Sequence, residues 1–406
     1  MVTTFYPPYH FGGDATHTYR LSSELARRGH TVDVIFDRDA YYLARRGEPE
    51  QQYAQHPNIT LHALKSPFGA LSPLATQQTG RPWFKARIKH LLETGGYDVI
   101  HFHNSSLIGP GAFAYGRAVK LLSLHEYWLI CPMHVLWKFD REACVHRQCL
   151  QCTLRGKRPP QWWRYTGFLP RQLAHIDQIC APSRFSRAQH QAHGIDAAIE
   201  LLPNFVPPPA DDPDATPAPH PRPYFLFVGR LLKLKGVQTL IPIFRRYPDA
   251  DLLVVGDGEY GPALRAAARE LPNIRFVGAV PFSQLGDYYR HAIALIVPSL
   301  CYETFALVQI EAFAWHTPVI AHRLGSTPEA VEDSGGGFTY GDEAELLNAM
   351  TQLQADPALR RALADKGWAA YRRWWDTDAH FKRYFELIAR AQQKKQEVAT
   401  SKASLP

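Results

Sequence analysis

No stretch of this 406-residue sequence comes near the ~18 consecutive apolar residues that a membrane-spanning helix needs, and the mean hydropathy is −0.27. A chain threaded through a bilayer is therefore not expected. The opening residues, MVTTFYPPYHFGG, carry neither a basic head nor a long apolar run, so no secretory signal is read there and a cytoplasmic address is expected. Cysteine is scarce. Six in a chain this long cannot staple a small secreted scaffold, and in a reducing compartment a clustered subset would bind metal or stay as thiols. Charged residues make up 20%, and a net charge of +7 suits an anionic ligand or an anionic membrane surface without selecting either. No nucleic-acid-binding motif accompanies the charge, and no solenoid repeat is visible.

What is present is 46% hydrophobic sequence in a chain two to three times the length of an ordinary ~150-residue domain, which predicts two cores. The first half alternates strands with helical stretches, as βαβ units do. MVTTFYPP reads as a first strand, Gly12-Gly13 as a turn, Asp14 to Arg28 as a helix ending at Gly29, and TVDVIFD as the next strand. Further strands are expected at 98–104, 120–126 and 177–183, while 43–90 shows no clear pattern. Residues 203–223 contain nine prolines, so they read as a linker between a domain at 1–202 and another at 224–375. In the second half YFLFVG, DLLVVG, NIRFVG, ALIVPS and PVIA alternate with helices, predicting a second doubly wound α/β domain. Residues 376–406 read as an aromatic-rich helix crossing back to the first domain, with a frayed tail from 392.

The stretch PSLCYETFALVQIEAFAWHTPVIAHRLGSTPEAV (298–331) carries most of the chemistry. A buried strand ends at Pro298 and a helix is expected from Phe305, so its unbonded amides and positive dipole end face the carboxyl edge of the sheet, an anion site. Glu303 precedes this helix and Glu311 lies two turns inside it, which at ~1.5 Å per residue puts them about 12 Å apart. That exceeds the roughly 5–9.5 Å of a glycosidase acid pair and suits two carboxylates gripping hydroxyls on either side of a bound diphosphate. Earlier, VGRLLKLKG (228–236) ends a strand and projects Arg230 and Lys235, two cations for a departing diphosphate that would make a divalent metal unnecessary for catalysis; Lys233 reads as solvated. Gly256-Asp257-Gly258-Glu259-Tyr260-Gly261 satisfies G-x-G-x-x-G, but the acid that would hold a nicotinamide ribose ~20 residues on is missing, which argues against a dehydrogenase.

On E-T-F-A-L-V-Q-I-E within PSxxYETF, the chain resembles the family 4 retaining glycosyltransferases, and the similarity runs from FYPPYHFGGDATHTYRLSSELARRGHTVDVI to the aromatic C-terminal helices. The resemblance implies the GT-B fold, two Rossmann-like doubly wound α/β domains facing across a cleft. It implies transfer of a sugar, with retention, from a nucleoside diphosphate sugar (UDP- or GDP-linked) to a hydroxyl acceptor that is a glycan, a lipid-linked group or a small molecule. By it, Glu303 holds the donor sugar, Glu311 the ribose, the amides of Phe305, Ala306 and Leu307 the diphosphate, and Arg230 and Lys235 the leaving charge. Ala306 departs from the glycine frequent in the family. Gly12 and Gly13 would cover the diphosphate, Gly256 form the donor wall, and the backbone near Val280 meet the base. His125 resembles the active-site histidine and would orient rather than attack, with Asp14, His17 and His103 on the acceptor side. Kept open beside this are a nucleotide-sugar epimerase or phosphorylase on the same fold and a non-catalytic sugar-nucleotide binding protein.

Two features are not required by the resemblance, although some members of the family carry a cysteine cluster similar to the first. Cys131, Cys144, Cys149 and Cys152 form C-x12-C-x4-C-x2-C, a spacing compatible with structural zinc, with thiols, and with a disulfide or iron–sulfur cluster; Cys180 and Cys301 read as buried. Residues 155–173 (RGKRPPQWWRYTGFLPRQL) mix cations with aromatics, a composition suited to peripheral contact with an anionic bilayer or equally to a solvated face.

Overall fold

A computed structural model describes residues 1–45, 47–49, 53–83, 85–209 and 217–403. The chain divides into two compact units: unit 1 comprises 1–134, 147–202 and 381–406, and unit 2 comprises 135–146 and 203–380. The middle of the expected proline-rich linker, 210–216, lies outside the described residues.

Unit 1 is built on seven parallel strands: β1 (Val2–Thr3), β2 (Val32–Asp37), β3 (Ile59–Leu64), β4 (Val99–Phe102), β5 (Val119–Ser123), β6 (Gln178–Ala181) and β7 (Ile199–Leu201). Their order is β3-β2-β1-β4-β5-β6-β7, so the winding reverses between β1 and β4. Helices α1 (Gly13–Arg27), α2 (Leu71–Thr79) and α3 (Cys149–Arg155) belong to this unit. Gly29, at φ 89°, follows the end of α1. The featureless region 43–90 holds β3 and α2. β3 pairs residue for residue with β2 over its whole length, yet it lies at the sheet edge and its ITLHAL stretch is only partly buried, which is why it lacks the apolar run of an inner strand.

Unit 2 carries six parallel strands: β8 (Tyr224–Val228), β9 (Asp251–Val255), β10 (Ile274–Gly278), β11 (Leu295–Val297), β12 (Val319–His322) and β13 (Gly337–Tyr340). The order β10-β9-β8-β11-β12-β13 is that of a dinucleotide-binding fold. YFLFV and DLLVV are continuous apolar runs because both faces of a parallel sheet are covered, and Phe225, Leu226, Leu252 and Val254 are fully buried. Helix α4 (Leu307–Ala314) starts two residues later than expected, because Phe305 and Ala306 pack on the core as a non-helical lead-in with Ala306 as the N-cap.

The terminal helix α5 (Thr377–Ala403) corrects the expected frayed tail. Its second half is held within unit 1: Ala391 is buried, and Lys395 Nζ donates to Asp177 Oδ2 at 2.7 Å and to Ala118 O at 2.8 Å. Tyr384, also on α5, donates or accepts through its hydroxyl with His101 Nδ1 at 3.1 Å.

Candidate functional site

In unit 2 the carboxyl edge of the sheet is shaped by close backbone approaches. Gly236 has φ 80°, and a Cβ there would run into Pro298 O at the end of β11. A Cβ at Gly256 would likewise strike Gly229 O, so the loops after β8 and β9 touch through glycine. These contacts fix Lys235, which precedes Gly236. Its Nζ donates to Glu303 Oε1 at 2.7 Å, and Ser299 Oγ donates to the same oxygen at 2.7 Å. Ser326 Oγ holds the Glu303 carbonyl at 2.8 Å, while His322 Nδ1 sits 2.8 Å from Ser299 O. Burial works against the Lys235 charge, but Glu303 and Cys301 outweigh it and hold the ammonium above the usual lysine range; the Arg230 guanidinium is near enough to oppose them.

Glu311 is buried on α4 and accepts from the Tyr289 hydroxyl at 3.0 Å. The structure thus brings together Lys235 and Glu303, with Arg230 beside Lys235, and puts Glu303 and Glu311 on either side of the α4 N-terminus. Phe305, Ala306, Leu307 and Val280 are half-buried against one core cluster. Ser299, Ser326 and Tyr289 position the two glutamates and escaped the sequence reading, since a lone serine or tyrosine carries no spacing signal.

In unit 1 the corresponding edge gathers the residues expected on the acceptor side. Gly12 caps α1 with φ 81°, and Asn104 Nδ2 donates to Asp14 Oδ2 at 2.7 Å. Burial, then the neighbouring Glu126 carboxylate, pushes the Asp14 acid up to about 6, against the hydrogen bonds from Asn104 and the Ala15 amide. His103 Nδ1 and His125 Nε2 are 3.0 Å apart, and the His17 ring lies 5.0 Å from that of His125. Burial and the surrounding His101, His125 and His17 push His103 well below the ordinary imidazole range, so it is neutral at pH 7. Asn104 and Glu126 were missed, although HFHN and LHEYW set each next to a histidine that was noticed; Glu126 Oε2 also pairs with His134 Nδ1 at 3.0 Å.

The cysteine spacing does not translate into a ligand set. Among the described residues no group of three or more His, Cys, Asp or Glu is placed to hold a metal ion, and no disulfide joins the six thiols. Cys131, Cys149 and Cys152 belong to unit 1, where Cys149 lies near both of the others, and Cys144 belongs to unit 2.

Residues 222–356 match the description "Glycosyl transferases group 1" and residues 11–209 match "Glycosyltransferase Family 4". The chain belongs to the family 4, group 1 glycosyltransferases. It is a glycosyltransferase of the GT-B fold. A GDP-mannose-dependent alpha-(1-6)-phosphatidylinositol monomannoside mannosyltransferase of Mycolicibacterium smegmatis is 30% identical over 317 residues, covering 70% of this chain and 82% of that one. Among solved structures, sucrose-phosphate synthase of Thermosynechococcus elongatus superposes with a TM-score of 0.70 at 21% identity, over 98% of this chain and all of that one. The Anabaena protein HepE, solved in complex with UDP, superposes with a TM-score of 0.62 at 16% identity over the full length of both. No helix among the described residues is long and apolar enough to cross a membrane.

Proposed function

We propose that this glycosyltransferase moves a hexosyl group, with retention, from a UDP- or GDP-linked sugar to an acceptor hydroxyl, a lipid-linked acceptor being among the classes that fit. The observation that carries the reading is the Lys235–Glu303 contact at 2.7 Å beside the α4 N-terminus: a cation and a hydroxyl-binding carboxylate meet where amides are left without helical partners. A relative that is GDP-mannose-dependent and a similar fold solved with UDP support a nucleoside diphosphate donor.

In this reading Glu303 takes the sugar hydroxyls and Glu311 the ribose hydroxyls, while Arg230, Lys235 and the amides of Phe305, Ala306 and Leu307 receive the diphosphate. Charge grows on the leaving phosphate as the glycosidic bond breaks, so donors already aimed at it lower the barrier without reorganising. The departing phosphate oxygen takes the acceptor proton on the same face, and no protein carboxylate attacks. Arg230 and Lys235 supply the positive charge that a divalent ion would otherwise bring. On the acceptor side, neutral His103 bonds His125 and fixes its ring, with Asp14 and His17 adjacent.

The test is binding of UDP, GDP, ADP and their sugar conjugates by thermal shift, followed by NMR of the anomeric product. A ligand at 100 times its Kd adds about 2.7 kcal/mol of stability. A shift with one diphosphate and its conjugate, lost in Glu311→Ala, is expected; silence across the panel, or an inverted product, refutes the reading.

A further inference from the structure

Two short helices in unit 1 are folded inside out. On α2 the buried positions are Ser72, Pro73 and Thr76, while Leu71 is 61% exposed and Leu74 also faces solvent. On α3 the buried position is Thr153, and Leu150 and Leu154, one turn apart, are exposed. A surface helix in water normally turns its leucines to the core. Beside α2 stands the single turn Trp162–Tyr165, pinned there by buried Trp163, whose indole N–H donates to Gln77 O at 2.9 Å. That pin leaves Trp162 64% and Tyr165 62% exposed, with their rings 6.2 Å apart. Trp83, exposed as well, is tied to α2 through its backbone, its carbonyl accepting from Ser72 Oγ at 3.0 Å. The Arg164 side chain reaches inward to the carbonyls of Trp128 and Leu129 and lies close to Cys149, the first residue of α3.

The charge on these segments has one sign. Residues 65–85 and 147–175 contain nine lysines and arginines and no aspartate or glutamate. Lys85 is buried on Asp37 and Arg164 on backbone carbonyls, whereas Lys65, Arg81, Arg147, Arg155, Lys157 and Arg171 are exposed. Outward leucines flanked by tryptophan, tyrosine and exposed cations match the layering of a bilayer surface: acyl chains below, amphipathic rings at the headgroups, anionic phosphates facing the cations. A protein partner would have to supply both an apolar hollow and a matching acidic rim.

We propose that this face of unit 1, built from α2, the Trp83 turn, the Trp162–Tyr165 turn and α3, docks peripherally on an anionic lipid bilayer. This extends the glycosyl-transfer reading by placing the acceptor-side unit at a membrane surface, but vesicle binding needs no donor and no turnover. The test is co-sedimentation with vesicles of phosphatidylcholine alone and with vesicles containing about one-third phosphatidylglycerol. The protein is expected to pellet with the anionic vesicles and not the neutral ones, and to be released by 0.5 M salt, where the Debye length falls to about 4 Å. The triple variants Leu71→Gln/Leu74→Gln/Trp162→Gln and Lys65→Gln/Lys157→Gln/Arg171→Gln should each weaken binding at least tenfold while melting close to wild type and keeping the nucleotide thermal shift. No binding to anionic vesicles, or undiminished binding by the apolar triple variant, overturns the proposal. A concentration-dependent dimer that the apolar variant abolishes, with no vesicle binding, assigns the face to a second copy and overturns it too. Vesicle binding without any nucleotide shift leaves this inference standing and sinks the donor reading instead.

Discussion

Replacing Lys235 with alanine separates the chemical role of the Lys235–Glu303 contact from its structural one. The side chains are 28% and 14% exposed, so the pair lies between a surface ion pair and a fully buried one, and its loss should cost about 1–2 kcal/mol of stability. For a unit of this size that is a fall of about 2–8 °C in melting temperature. The transition state should lose far more: one pre-aimed donor to developing charge is worth about 3–4 kcal/mol, or on the order of 10²–10³ in kcat. The assay is release of nucleoside diphosphate from the sugar donor identified by thermal shift, with and without acceptor. Lys235→Arg keeps a cation and should recover much of the loss. The folded state holds the Lys235 ammonium above its ordinary range, so the stability this adds is complete below about pH 10.5 and fades only as pH rises through the folded value. The Lys235 effect should therefore be flat from pH 6 to 9. A Lys235→Ala enzyme with kcat within threefold of wild type, or one whose defect is wholly explained by unfolding, refutes the assignment.

Three further outcomes are expected. Glu311→Ala should raise the donor KM tenfold or more with a smaller change in kcat, read in the same assay; Tyr289→Phe, which removes the 3.0 Å hydrogen bond, should do so in milder form. Asp14→Asn should stabilise the protein above pH 6. Because the folded acid keeps its proton up to about pH 6 and the unfolded one only to about 3.8, wild-type stability declines as pH rises between those values, by up to about 3 kcal/mol. The variant's advantage should be present at pH 7.5 and absent at pH 3.5 in urea unfolding. Gly236→Ala should lower the melting temperature by several degrees, since it combines a left-handed backbone with a Cβ driven into Pro298 O. An unshifted melt would mean that the loop and β11 move apart freely.

Much of the architecture was readable where burial dictates composition. The inner strands of unit 2 advertise themselves because both faces must be apolar, and the glycines after them because two backbones touch. Edge strand β3 and helix α2 were not readable: one is only partly covered, and the other carries its leucines on the solvent side, which inverts the pattern on which periodicity depends. At the candidate site, Glu303, Glu311, Arg230 and Lys235 stood out through spacing. Ser299, Ser326, Asn104 and Glu126 did not, because a residue that positions another is defined by its neighbours in space. The cysteine spacing left metal, thiols and a disulfide open, and the described residues show free thiols without a metal-holding group, an outcome that spacing alone does not decide.

Tyr384 and Lys395, on the last helix, bond to His101 and to Asp177 and Ala118 in a unit whose first strands come from the opposite end of the chain. Residues 203–380 are made in between. On the ribosome, at roughly 5–20 residues per second, the sheet of unit 1 therefore waits about 10–40 s with its inner histidine lacking that tyrosine. The half of the molecule that begins first is completed last, so a truncation of even the final thirty residues strikes the amino-terminal unit.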